Sequence, residues 1–221
     1  MGRYLPWVIS MFKLDLLAGK SRIRIIAQTD RNPMVRKSYF TLRIMSEINP
    51  QSNPEARNND VLRLADADTT SVHALLCNYG LELEMVADGV EIPGSYWGDE
   101  EAGLISNQLL VRSDTPLHSI LHETCHYVCL DMARRSGINT DAGGDYDEEN
   151  AVCYLQILLS EYIKAFGKRR MLMDMDSWGY TFRLGSAQAW FEQDAEDALG
   201  WLLQRNLINQ QQQPTWQLRK D

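Results

Sequence analysis

Apolar positions divide this chain into short elements separated by turn chemistry. A helical pattern runs from about residue 70 to residue 79 and is stopped by Gly80. Residues 81–86 (LELEMV) read as a strand ending at the turn pair Asp88-Gly89, and residues 103–111 (GLISNQLLV) read as a second strand. From Leu117 the apolar residues Leu117, Ile120, Leu121, Val128 and Met132 recur at helical spacing. Ser113 or Asp114 can cap this helix, Pro116 suits its first turn, and Arg134, Arg135 and Gly137 mark its end. A polar loop with Gly143-Gly144 follows, and a second helix is expected over residues 147–166. Residues 186–207 read as one long amphipathic helix capped by Ser186, with Trp190, Phe191, Leu199, Trp201, Leu202 and Leu203 towards a core. The order predicts an α+β domain: a small sheet packed on the 117–137 helix, with a mostly helical C-terminal part.

That helix carries His122-Glu123-Thr124-Cys125-His126, an H-E-x-x-H motif. At about 100° per residue, its two histidines lie roughly 40° apart and one turn above each other. Both imidazoles can then reach one Zn²⁺ at about 2.0–2.1 Å. Glu123 points to a neighbouring azimuth, where it can hold a water that the metal polarises. A third ligand is expected downstream. The helix beginning near Asp147 has an acidic first turn, which suits the positive end of its dipole. Either Glu148 or Glu149 in that turn can complete a His₂Glu site.

Over about residues 81–162 this arrangement resembles the gluzincin branch of the zincin metallopeptidases. Small single-domain members of that family, including peptidases that cleave bacterial repressors, share its compact layout. The resemblance implies a zincin-like fold, a zinc cofactor and a peptide or protein substrate. It also implies hydrolysis through a metal-activated water, with Glu123 as general base and His122, His126 and an early Glu of the next helix as ligands. In the family, apolar residues follow the ligand Glu at two, five and six positions. From Glu149 these are Ala151, Tyr154 and Leu155; from Glu148 they are Asn150, Cys153 and Tyr154, a poorer match. Periodicity also puts Glu148 nearer the middle of the Val152, Leu155, Leu159 stripe and Glu149 at its edge, where a cleft ligand belongs. Glu149 is therefore the preferred ligand and Glu148 the alternative.

Other candidates follow from the same frame. Tyr180 and Arg183, between Gly179 and Gly185, are long polar side chains able to serve a tetrahedral oxyanion. Strand 103–111 can pair with an extended peptide if it lies at a sheet edge. His118, one turn before His122, is read as a capping or surface residue, and His73 as structural. A rival metal site from Cys125, Cys129 and Cys153 lacks structural-zinc spacing.

Charge separates the ends of the chain. The net charge is −8, but residues 1–43 hold nine Lys/Arg against Asp15 and Asp30, leaving that arm at +7 and the remainder at −15. The acidic balance argues against general nucleic-acid binding, and the apolar run 4–12 is too short to span a bilayer. A helix is expected over 33–48 and a linker over 49–60. The chain thus reads as a basic extension and linker (1–60), a metallopeptidase domain (61–208) and a mobile, Gln-rich polar tail (209–221). Absence of disulfide-like cysteine spacing points to a cytoplasmic protein. The alternative to a peptidase is a non-catalytic zincin-like module that binds a protein partner.

Overall fold

A computed structural model describes Val8–Phe12, Ile25–Thr29 and residues 61–221 except Trp97 and Asp141. The chain divides into two compact units, Met1–Asn59 and Asp60–Asp221. In the first, β1 (Val8–Phe12) pairs antiparallel with β2 (Ile25–Thr29), Val8 opposite Thr29 and Phe12 opposite Ile25. The helix expected over 33–48 and the linker expected over 49–60 lie outside the described residues.

The second unit is α+β. α1 (Thr69–Asn78) starts where the Asp68 side chain accepts the Ser71 N–H at 2.8 Å, and stops at Gly80, whose φ of +73° is cheap only for glycine. The N–H of Leu81 then closes on the Leu76 carbonyl. β3 (Glu82–Met85) follows directly.

The expected strand 103–111 is a hairpin, β4 (Gly103–Ile105) and β5 (Gln108–Val111), turned at Ser106-Asn107 with Ser106 at φ +54°. The strand order is β3-β5-β4, with β5 parallel to β3 and antiparallel to β4. β5 is therefore central, which corrects the edge-strand expectation. β4 does lie at an edge, but its outer side is occupied. The Leu104 N–H donates to the Gly94 carbonyl, the Thr140 N–H to the Leu104 carbonyl, and the Ser106 N–H to the Ile138 carbonyl.

α2 (Leu117–Cys129) packs on β4 and β5 and against α4 (Tyr146–Leu159). Every residue of α2 is buried except His122, which is partly exposed, so α2 has no solvent face of its own. The continuous helix expected to Gly137 breaks at Leu130. Asp131 starts a new short helix, α3 (Met132–Ser136), by accepting the Arg134 N–H at 2.8 Å. Met132, expected on the apolar stripe, is 68% exposed. Neither Ser113 nor Asp114 caps α2: Asp114 pairs with Arg112 at 2.9 Å, and Ser113 donates to Asp88 at 2.7 Å. Pro116 stands at the cap position without a side-chain bond.

α4 is capped by Asp145, which accepts the Glu148 N–H at 2.9 Å, and it ends at Leu159 in a 3₁₀ turn, short of residue 166. α5 (Gly167–Trp178) was hidden by its charged sequence; only Met171, Leu172, Asp174 and Met175 turn inward. The buried Asp174 accepts from the Leu62 N–H at 2.9 Å and from Arg170 at 2.6 Å. The last expected helix is two, α6 (Ala187–Gln193) and α7 (Glu196–Gln204), with Ser186 capping the first through the Ala189 N–H at 3.1 Å. The segment after 208, expected to be mobile, folds back on the body. Trp216 packs against Tyr79 and Tyr162 at 5.4 and 4.9 Å between ring centroids. Among the described residues no helix is long and apolar enough to cross a membrane.

Candidate metal centre

Two helices build the centre. α2 supplies His122 and His126 one turn apart with Glu123 next to the first, and α4 supplies Glu149 from its first turn and Gln156 two turns on, nearly in line with it. The Nε2 atoms of His122 and His126 lie 3.1 Å apart. Glu149 Oε2 lies 3.7 Å from His126 Nε2. Among the described residues, His122, His126 and Glu149 are the one cluster of metal-ligating side chains, each offering an atom within 4.8 Å of the others. Two ligands about 2.0–2.1 Å from a tetrahedral Zn²⁺ sit roughly 3.3 Å apart, so the donor set fits that ion with small shifts and leaves a fourth position.

The ring of His122 is fixed from behind. The Oε1 of Gln156, a fully buried residue, lies 2.7 Å from His122 Nδ1, while its amide nitrogen faces Met171 Sδ at 3.9 Å. Nδ1 therefore carries the proton and Nε2 presents its lone pair to the site. Gln156 had no place in the sequence reading; seven residues after Glu149 in an apolar run, its signal was an amide on the face that meets α2. Gln156→Leu keeps the volume and removes the acceptor. Zinc affinity should fall about 10–100-fold in chelator competition, while Gln156→Glu, which keeps an acceptor, holds near the wild-type value.

Glu148, the alternative ligand, is buried and faces away from the histidines. Its carboxylate accepts from Arg134 at 2.9 and 3.0 Å and from Arg219 at 2.9 Å. Glu149 is the carboxylate that joins the histidines, and its Oε1 accepts the Gly144 N–H at 3.0 Å. A Cβ on Gly144 would lie 2.5 Å from Glu148 Oε1 and 2.8 Å from Glu148 Cβ. Gly144→Ala should therefore push the loop off Glu148 and release Glu149. The expected loss in zinc affinity is about 10-fold, read by the same competition.

Glu123 is buried, and burial pushes its carboxyl well above the ordinary carboxylate range, with Glu101 and Glu149 adding like charge. A cation held beside it favours the ionised form. Glu101 is itself buried and accepts from Trp178 Nε1 at 2.7 Å. No spacing in the sequence tied it to the motif. His118 is buried rather than capping or exposed, 4.8 Å from Trp178 and 5.8 Å from Tyr180 between centroids. Tyr180 is half-buried and stands edge-on to His122 at 6.0 Å, whereas Arg183 is exposed and held by Asp194 with Nε at 2.8 Å. Cys125, Cys129 and Cys153 form no metal-ligating cluster among the described residues, and burial raises all three thiols.

No family model matches the chain, and neither the curated proteins nor the solved structures give a match.

Proposed function

We propose that this chain is a zinc-dependent peptidase of zincin-like fold, with His122, His126 and Glu149 as ligands and Glu123 as general base. The observation that carries the reading is the convergence of three ligand atoms within 4.8 Å beside a buried carboxylate from the same H-E-x-x-H turn. The small sheet on α2 and the helical remainder support the fold reading. Zn²⁺ at this site would supply Lewis acidity and lower the pKa of a coordinated water towards about 7. Glu123 accepts the proton of the attacking water and returns it to the leaving amine. Gln156 keeps His122 in the tautomer that can bind. Tyr180, whose ring stands 6.0 Å from that of His122, would serve the oxyanion. The free thiols, of which Cys125 and Cys129 are buried and Cys77 is exposed, support a reducing, cytoplasmic setting.

The test is zinc content and turnover. Protein purified without added metal is expected to take up one zinc per chain and to cleave peptides in a profiling digest. No uptake on titration would sink the proposal. One zinc with no cleavage across the profile would leave the protein-binding module instead.

A further inference from the structure

The segment read from sequence as a loose polar tail bonds to both helices that build the metal centre. Arg219 donates its backbone N–H to the Val128 carbonyl at 3.0 Å and its guanidinium to the Cys129 carbonyl at 3.3 Å. Those are carbonyls at the carboxyl end of α2, which the helix itself leaves unsatisfied. The Arg219 carbonyl accepts from Arg135 at 2.9 Å, and Arg135 also reaches the carbonyls of Tyr127 and Leu130. The same Arg219 guanidinium nitrogen donates to Glu148 Oε2 at 2.9 Å, and Trp201 lies 5.3 Å beneath it. One side chain thus ties the end of the helix bearing both histidines to the residue next to Glu149.

Arg134 completes the clamp. It holds both Glu148 oxygens and donates to the carbonyls of Ala142 and Gly143 at 3.1 and 2.7 Å. The next residue, Gly144, gives its N–H to Glu149. Glu148 is therefore gripped from two sides, and the direction of Glu149 follows from the grip, since adjacent helix positions differ by about 100°.

We infer that Arg219 is a positioning residue of the metal centre, acting through Glu148 to set Glu149 against His126. This rests on the metal reading above. Zinc affinity is to be measured by chelator competition for the full chain, Arg219→Ala, Arg219→Lys, Glu148→Gln and the Arg219→Ala/Glu148→Gln double variant. Melting of each protein stripped of metal runs alongside. Arg219→Ala should weaken zinc binding about 10-fold. Arg219→Lys, which keeps a charged donor to Glu148, should recover most of that loss. The double variant should bind no worse than the weaker single variant, because both changes cut one link. Wild-type zinc affinity in Arg219→Ala, even with a lowered melting temperature, would overturn the inference, as would losses that simply add. No zinc uptake by the wild type overturns the metal reading as well, so the two failures are distinct. Should Arg219→Ala not fold, Arg219→Lys and Glu148→Gln decide: wild-type affinity in Glu148→Gln overturns the inference.

Discussion

Glu123→Gln should leave zinc uptake intact and lower peptide hydrolysis by about 10²–10⁴-fold, the contribution of a positioned general base. The side chain is buried, and its carboxyl is pushed up by burial and by two neighbouring carboxylates. Glutamine fills the same volume without a charge to desolvate. The metal-free variant should then melt no lower than the wild type. A variant that binds zinc, folds as well and does not turn over separates chemistry from structure. Elemental analysis, a melting curve and single-turnover hydrolysis suffice. Hydrolysis at the wild-type rate would show that another group moves the proton.

How far the site was legible follows from where its information lies. The H-E-x-x-H pair and the acidic helix start are local, and helical geometry alone brings His122 and His126 to one azimuth. Gly80 and Ser186 act at helix ends through bonds spanning three residues, so turn and cap chemistry is readable there. The end of α2 was not readable because the apolar stripe runs on to Met132, while the break at Leu130 is held by Asp131, Arg135 and Arg219. Arg219 is 90 residues from the carbonyl of Cys129 that it reaches. The hairpin was missed for a different reason: Ser106-Asn107 is a weak turn signal inside an apolar run, and only the pairing of Leu104 with Leu109 reveals it. α5 escaped because a buried Asp174 interrupts its apolar face and is satisfied by a backbone N–H 112 positions earlier. Periodicity placed Glu148 towards the core, but what makes that burial tolerable, two arginines, comes from outside the helix.

Glu149→Ala and Glu148→Ala should fail in opposite ways, although the residues are neighbours. Glu149 is a third exposed on its side chain, with Gly144 and His126 among its contacts. Its loss removes one of the three proposed ligand atoms and little packing, so zinc binding should fall by at least about 100-fold, the upper end of what a supporting contact alone is worth. The melting temperature without metal should move by no more than a surface substitution allows. Glu148→Ala leaves Arg134 and Arg219 without the carboxylate they share. Breaking a fully buried pair costs about 3–5 kcal/mol; Arg134 is 37% exposed and can turn to water, so a loss on the order of 2–3 kcal/mol is expected here. Zinc affinity should fall too, through the freed first turn of α4, but less than in Glu149→Ala. Denaturant unfolding of the metal-free proteins and chelator competition give the two axes. If Glu148→Ala abolished zinc binding while Glu149→Ala kept it, the ligand assignment would be reversed, and the clamp drawn around Glu148 would have to be a feature of a chain without its metal.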